Sequence, residues 1–307
     1  ASDVYKRQAL CSLCMLGMIM MSCNSKRGQQ LPTIGKSVAL FDYFSYKGND
    51  DFYISNPLSS DDYFYNPILP GWYSDPSICT NGEGDYFLVT STFTYYPGVP
   101  IFHSKDLVNW KQIGHVLNRA SQLVNMEGQK VSGGIFAPAI SYNPYNKTYY
   151  MVTINVGAGN FFVKTQDPFG EWSEPVMLPE VGGIDPSFFF DEDGKAYIVN
   201  NDEAPDNKPE YSGHRTIRIQ EFDVKTDKTI GPRKILVNKG AQPADKPIWI
   251  EGPHLYKING KYFLMSAEGG TGNWHSEVIF CGDSPMGKFL PWKNNPNLTQ
   301  RHWNSDR

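Results

Sequence analysis

Apolar and polar positions along this chain form short strand-like stretches rather than a helical pattern. Apolar, aromatic-rich runs lie at residues 85–89, 148–152, 196–199 and 261–265. Runs of this length between Gly, Asn and Asp turns are typical of β-strands. Asn259-Gly260 fits a two-residue hairpin turn, because both positions accept the positive φ that such a turn requires. No amphipathic helical run competes with these strands, so we predict an all-β fold.

A short motif precedes each of these strands and indicates an internal repeat. The motifs are Ser74-Asp75-Pro76, Phe136-Ala137-Pro138, Ile184-Asp185-Pro186 and Ile250-Glu251-Gly252-Pro253. Each is followed by a hairpin and then by a second strand pair, and four antiparallel strands per repeat predict a β-propeller. The motifs recur at intervals of roughly 50–65 residues, which puts the next one just beyond residue 307. We therefore expect a five-bladed propeller of which about four blades are present in this C-terminally truncated chain.

The residues before the propeller have a different pattern. Residues 1–23 read as a leader, and we set residues 1–8 apart because they lack an apolar pattern and the chain does not begin with Met. Residues 9–21 are uncharged, and their length suits a signal-peptide core better than a membrane span. Ser22-Cys23 resembles a lipoprotein cleavage site, which predicts a lipid anchor at Cys23, with a plain signal peptide as the alternative. Both predict export, to the bacterial periplasm or as an outer-membrane lipoprotein.

Residues 24–62 are then a tether and lead-in segment, and residues 63–307 the partial propeller domain. A chain of 307 residues that is 40% hydrophobic can build one large core, and its net charge of −4 gives no reason to expect a nucleic-acid partner. Outside the leader only Cys79 and Cys281 remain, and we expect buried free thiols rather than a disulfide. Zinc is not expected, because Cys-x-x-Cys and His-Glu-x-x-His patterns are absent from residues 24–307, and the Cys11-x-x-Cys14 pair lies within the leader.

Acidic residues occupy three of the four motifs, namely Asp75, Asp185 and Glu251, while Ala137 takes the fourth position. The first strand of a propeller blade lies nearest the central axis, so these side chains are predicted to converge at the channel mouth. Clustering carboxylates costs stability through repulsion and desolvation. A single Asp before Pro is often a turn cap, but three at the same phase of a repeat indicate function. Metal binding is an alternative for which three carboxylates alone are not specific.

Hydrolysis of a glycosidic bond needs an acid that protonates the leaving oxygen and a base that activates water. Glu251 lies in the most apolar setting, residues 247–253, and is therefore assigned as the general acid. Asp75 has polar neighbours and suits the general base. Asp185 would raise the pKa of Glu251 and orient it. This chemistry requires no cofactor, and a calcium ion in the channel stays an open alternative.

From residue 63 onward the motifs resemble glycoside hydrolase family 43. The resemblance rests on four ordered segments: residues 66–69 with Ser74-Asp75-Pro76, residues 132–138, residues 183–186 and residues 250–253. It implies a five-bladed propeller that hydrolyses xylosides and arabinosides with inversion, with Asp75 as base, Asp185 as pKa modulator and Glu251 as acid. The family usually has Trp at the position of Phe136.

Phe93 and Phe136 are candidate substrate contacts, because aromatic faces stack on sugar rings, although each also suits a core position. Thr271 lies in a Gly-rich segment that could form the edge of a pocket. The favoured hypothesis is an inverting enzyme that removes xylose or arabinose from plant cell-wall oligosaccharides such as xylan, arabinoxylan or arabinan. The alternatives are an endo-arabinanase of the same fold and a non-catalytic sugar-binding propeller lipoprotein. Fructan-cleaving propellers are disfavoured, since their Arg-Asp-Pro and Glu-Cys motifs are missing.

Overall fold

The computed structural model describes residues 51–303. The predicted leader, most of the predicted tether and the last four residues lie outside this described part. The chain divides into two compact units between Pro57 and Leu58. In the first unit the described residues contain one helix, α1 (Asp51–Ser55). Across residues 51–303, no helix is long and apolar enough to span a lipid bilayer.

The second unit contains four antiparallel sheets, each formed by consecutive strands, which is the blade architecture that the sequence predicts. Blade 1 consists of β1 (Ser77–Thr80), β2 (Tyr86–Val89), β3 (Gly98–Ser104) and β4 (Lys111–Leu117). Blade 2 consists of β5 (Ile135–Asn143), β6 (Thr148–Asn155), β7 (Gly159–Thr165) and β8 (Val176–Met177). Blade 3 consists of β9 (Ile184–Phe190), β10 (Ala196–Glu203), β11 (Arg215–Asp223) and β12 (Lys228–Asn238). Blade 4 consists of β13 (Glu251–Ile258), β14 (Lys261–Glu268), β15 (Ser276–Gly282) and β16 (Phe289–Pro291), and β17 (Leu298–Thr299) pairs with β15.

Short 3₁₀ turns at Ala120–Gln122, Pro205–Asn207 and Pro243–Asp245 connect the strands. The predicted turn at Asn259-Gly260 joins β13 to β14 with φ values of 51° and 75°, which confirms the type of hairpin that the sequence indicates. The all-β prediction and the four-stranded repeats are likewise confirmed.

The innermost strands of neighbouring blades are linked by serine hydroxyls. Ser141 donates to the carbonyl of Phe188 at 2.9 Å, and Ser187 donates to the carbonyl of Pro253 at 2.5 Å. Buried apolar side chains between the blades provide the core, with one group between blades 1 and 2, one between blades 2 and 3 and one between blades 3 and 4. Cys79 and Cys281 are free, as expected, although both are half-buried rather than fully buried.

Every blade has a β-bulge at its sequence motif. In blades 2 to 4 a residue and the following proline together face a single residue of the next strand, and in blade 1 the same arrangement follows from the pairing on either side of Thr90. The pairs are Asp75-Pro76, Ala137-Pro138, Asp185-Pro186 and Gly252-Pro253, and the first residue of each has a positive φ of 53°, 38°, 54° and 55° respectively. A bulge bends the strand and redirects its side chains.

These bulges correct one part of the sequence interpretation. Asp75, Asp185 and Glu251 are predicted to share one phase of the repeat, and for Glu251 this prediction is wrong by one residue. Gly252 occupies the position before the proline, and Glu251 lies one residue earlier, where it pairs with Ala267 as the first residue of β13. A position with φ near 55° favours glycine over a long side chain, and the glutamate lies on the regular strand beside it.

Candidate active site

Asp75 lies at the bulge that leads into β1, where its carboxylate is exposed to solvent. The hydroxyl of Ser91 donates to Asp75 Oδ2 at 2.5 Å, and the same hydroxyl oxygen accepts the backbone N–H of Ala137 at 2.7 Å. Ser91 is buried, so its side chain has little freedom to turn away. The Asp75 carboxylate is therefore held by a short chain of hydrogen bonds that reaches the bulge of blade 2.

Asp185 occupies the equivalent bulge of blade 3 and is buried. Its Oδ2 accepts the backbone N–H of Gly252 at 3.0 Å. Burial raises the pKa of Asp185 to about 7, with additional contributions from the negative charges of Glu251 and Asp75, while the bond from Gly252 acts in the opposite direction. Asp185 is thus within electrostatic range of both other carboxylates and is bonded to the residue that follows Glu251.

Glu251 is half-buried at the start of β13. Burial, followed by the negative charge of Asp75, raises the pKa of Glu251 to about 7, and the positive charge of Arg215 limits this increase. Arg215 lies with its guanidinium 4.5 Å from the Trp249 ring centroid and forms an ion pair with Glu203. A glutamic acid with this pKa is protonated in part at neutral pH and can donate a proton.

The structure therefore brings together the three carboxyl groups that the sequence singles out, from blades 1, 3 and 4. Their environments differ: Asp75 is exposed and bound by a hydroxyl, Asp185 is buried with a raised pKa, and Glu251 is half-buried with a raised pKa. Two carboxyl groups whose surroundings separate their protonation states can serve as an acid and a base in one reaction. This arrangement is suited to general acid–base catalysis.

Aromatic rings border the Asp75 side of the site. Phe93 and Phe136 are both half-buried, and their ring centroids are 5.6 Å apart in an edge-to-face contact. Backbone hydrogen bonds of 3.0 and 2.9 Å join Phe93 to Ile135. Gly134 makes this approach possible, because a Cβ atom at that position would lie 2.2 Å from the Phe93 carbonyl oxygen. Both predicted aromatic residues are thus near the candidate base, with Trp72 stacked on Phe93 at 5.8 Å.

Thr271 is exposed on the loop between β14 and β15. A Cβ atom at the neighbouring Gly270 would lie 3.3 Å from the Trp249 ring, and the N–H of Gly269 donates to the carbonyl of Ile248 at 2.9 Å. The loop therefore borders the segment that leads to Glu251. A role of Thr271 in substrate binding stays a prediction.

A buried polar network fixes the backbone around Asp185 and Glu251. Asn201 donates to the carbonyl of Ile250 at 2.6 Å, and Asn200 donates to the carbonyl of Gly182 at 2.6 Å. Arg233 donates to Asn200 at 3.0 Å and pairs with Asp202 at 2.8 Å.

The sequence motifs do not reveal the residues of this network, and they do not reveal Ser91, Arg215 or Trp72 either. The network residues are Asn200, Asn201, Asp202 and Arg233. One signal could reveal part of the set: the residue opposite each bulge is polar and buried. These residues are Thr90, Thr153, Asn200 and Ser266.

A calcium ion in the channel stays a prediction, because calcium also takes backbone carbonyls and water as ligands. Among residues 51–303, no group of three or more His, Cys, Asp or Glu side chains is placed to hold a metal ion. His254 lies in the central channel, and burial lowers its pKa to about 4.

Carboxyl groups that can act as an acid and a base, here near the axis of a propeller and bordered by aromatic rings, are the catalytic groups of glycoside hydrolases. The family model of glycosyl hydrolases family 43 matches residues 64–307, and the chain belongs to that family. It is 46% identical over 244 residues to a xylosidase/arabinosidase of Butyrivibrio fibrisolvens, an alignment that covers 78% of this chain and 46% of the relative. It is 41% identical to a non-reducing end alpha-L-arabinofuranosidase of Bacteroides ovatus, covering 77% and 42% of the two chains.

Solved structures agree with this assignment. A family 43 subfamily 12 protein from a capybara gut metagenome superimposes with a TM-score of 0.78 at 55% identity, covering 84% of this chain and 48% of that protein. A xylan beta-1,4-xylosidase from Bacillus halodurans superimposes with a TM-score of 0.67 at 37% identity, covering 78% and 45%. The chain thus spans less than half the length of these relatives.

Proposed function

We propose that the protein is an inverting glycoside hydrolase that removes terminal xylose or arabinose units from plant cell-wall oligosaccharides. The observation that carries this proposal is the pairing of Glu251, whose pKa is raised to about 7, with Asp75, an exposed carboxylate held by Ser91. The names of the relatives, xylosidase/arabinosidase and arabinofuranosidase, support the substrate class. The family relationship supports the reaction type.

In the proposed reaction the terminal sugar lies between Glu251 and Asp75. Glu251 transfers its proton to the glycosidic oxygen as the bond from that oxygen to the anomeric carbon breaks. Asp75 removes a proton from a water molecule whose oxygen attacks the anomeric carbon from the opposite face, which inverts the configuration. Glu251 is left as a carboxylate and Asp75 as a carboxylic acid, and proton exchange with solvent restores both.

Asp185 acts in this proposal as a positioning residue. Its carboxyl group accepts the N–H of Gly252 and so fixes the backbone next to the acid. A buried group with its own pKa near 7 also responds to the charge of Glu251, so the two titrations are coupled.

The test is to follow the first released anomer by NMR during hydrolysis of aryl xyloside and aryl arabinofuranoside by the full-length protein. We expect the inverted anomer, and release of the retained anomer would overturn the mechanism. Glu251→Gln should abolish hydrolysis of substrates with poor leaving groups. Glu268→Gln is a matched control, because Glu268 is another buried glutamate of blade 4 with a raised pKa, bonded instead to the N–H of Ala241.

An intact, correctly folded protein that binds oligosaccharides without cleaving them would favour the non-catalytic alternative. Cleavage in the interior of arabinan would favour the endo-arabinanase.

The enzyme is expected to stay active in the presence of a metal chelator, since no step of the proposed reaction uses a metal ion.

We also propose that residues 1–23 direct export and that Cys23 carries a lipid. The support is the apolar run at residues 9–21 followed by Ser22-Cys23. Incorporation of labelled palmitate that is lost in Cys23→Ala would support the anchor, and unlabelled, secreted protein would contradict it.

A further inference from the structure

Three aromatic rings form a continuous row that leads outward from the candidate base. Phe136, adjacent to the bulge of blade 2, contacts Phe93, and Phe93 stacks on Trp72 with an interplanar angle of 30°. Exposure increases along the row: Phe136 and Phe93 are half-buried, whereas Trp72 is 74% exposed. Trp72 therefore presents the outer face of a large ring to solvent beside the site.

Trp72 contributes little to the core in this position. The hydrophobic stabilisation of a side chain grows with the apolar area that it removes from water, and a ring that keeps three quarters of its surface in water gains only a small part of it. Exposed apolar surface next to a functional site commonly marks a binding surface. The position of Trp72 is thus better explained by recognition than by packing.

Trp72 also borders a small cleft that adjoins the base. The cleft has a volume of about 140 Å³ and is lined by Trp72 and Tyr95, with Ser74, Ser91 and Thr92 among its other residues. Ser91 is the residue that hydrogen-bonds Asp75. Aromatic walls combined with a few hydroxyl groups suit a sugar ring, which has both apolar C–H faces and polar hydroxyls. The small volume fits a single sugar unit rather than a long chain.

We propose that Trp72 and Tyr95 bind the sugar unit next to the one that is cleaved. This inference rests on the proposed function. If the enzyme removes a terminal unit, any neighbouring unit belongs to the leaving part of the chain. The cleft then makes the enzyme selective for xylo- or arabino-oligosaccharides over glycosides whose leaving group cannot reach Trp72.

The experiment compares the full-length wild type with Trp72→Ala, Trp72→Phe and Tyr145→Ala. Tyr145 is a matched control, because it is 57% exposed but lies in the turn between β5 and β6 at the opposite end of blade 2. Two substrate types are used: a xylosyl or arabinofuranosyl fluoride, whose leaving group is one atom, and the corresponding trisaccharide.

We expect Trp72→Ala to lower kcat/KM for the trisaccharide by roughly tenfold and to leave turnover of the fluoride unchanged within about twofold. Trp72→Phe should keep most of the wild-type kcat/KM for the trisaccharide. Tyr145→Ala should match the wild type on both substrates. In a Glu251→Gln background, Trp72→Ala should weaken trisaccharide binding by a similar factor in calorimetry.

Unchanged trisaccharide turnover in Trp72→Ala, or an equal loss on fluoride and trisaccharide, would overturn this inference and leave the proposed function intact. A folded wild type that hydrolyses neither substrate would overturn the proposed function, and with it this inference. The two failures are therefore distinguishable.

Discussion

Replacing Ser91 with alanine tests whether the hydrogen-bond chain to Asp75 contributes to catalysis. The substitution removes the hydroxyl that donates to Asp75 at 2.5 Å and accepts the Ala137 N–H at 2.7 Å. A hydrogen bond to a charged group contributes about 1.5–3 kcal/mol. If this bond holds the base in place in the transition state, its loss lowers kcat by roughly 10- to 100-fold, at about 1.4 kcal/mol for each factor of ten.

The same substitution should also lower stability. It leaves the Ala137 N–H without its partner, which costs about 1–3 kcal/mol if water does not replace the hydroxyl. For a domain of this size each kcal/mol corresponds to a decrease in Tm of about 2–4 °C. Ser141→Ala is the matched control, because Ser141 also uses its hydroxyl between blades but donates to the carbonyl of Phe188.

The assay is kcat on an aryl glycoside together with Tm by calorimetry, at a temperature where all variants are folded. Ser91→Ala should lose both activity and stability, whereas Ser141→Ala should lose stability alone. A Ser91→Ala protein with a lower Tm but wild-type kcat would refute the reasoning, because it would show that Ser91 only supports the fold.

Two further predictions follow from pKa and backbone geometry. Glu251 must be protonated to act as the acid, and since its pKa is about 7, kcat/KM should decrease as the pH rises through that value. Arg215→Met removes a positive charge that lowers this pKa, so the basic limb of the pH profile of kcat/KM should move to higher pH. Arg215→Lys keeps the charge and should leave that limb nearly in place. A limb that moves in neither variant would contradict the role of Arg215. Gly134→Ala should reduce the free energy of unfolding by more than the roughly 1–2 kcal/mol expected from a left-handed residue alone, because the new Cβ meets the Phe93 carbonyl oxygen at 2.2 Å. Gly194→Ala is the control in denaturant unfolding, because Gly194 has a similar φ of +84° and no atom near the added Cβ. It therefore measures the cost of the left-handed backbone without the contact to Phe93. Equal losses of unfolding free energy in the two variants would show that the contact with Phe93 costs nothing.

Local patterns in the sequence predict the fold because propeller strands are defined locally. The run at residues 261–265 and the turn at Asn259-Gly260 require only neighbouring residues, and both are found as expected in β14 and its hairpin. The choice of Asp75 and Asp185 as site residues also follows from a local repeat. The positions of these residues at the axis then follow from the topology.

The supporting residues could not be predicted in this way, because their roles depend on register across the molecule. Ser91 matters only because a bulge 46 residues later in the chain directs the Ala137 N–H at its hydroxyl. Arg215 comes from the third strand of blade 3, and the packing of the blades brings its charge close enough to lower the pKa of Glu251 on blade 4. The phase of Glu251 is different, because an alignment of the four motifs on their prolines puts Gly252 at the position of Asp75 and Asp185 and places Glu251 one residue earlier.

The four bulges explain how one repeated backbone feature supports the whole site. Ala137 and Gly252 have the same left-handed conformation as Asp75 and Asp185 but carry no carboxylate, so the conformation belongs to the fold and is not produced by the chemistry. Two bulges provide carboxylates, and the other two provide the N–H groups that hold them: Gly252 binds Asp185 directly, and Ala137 binds Asp75 through Ser91. Each carboxylate is thus fixed by the bulge of the next blade. The relative placement of the blades, and not the sequence of any single blade, therefore determines the geometry of the site.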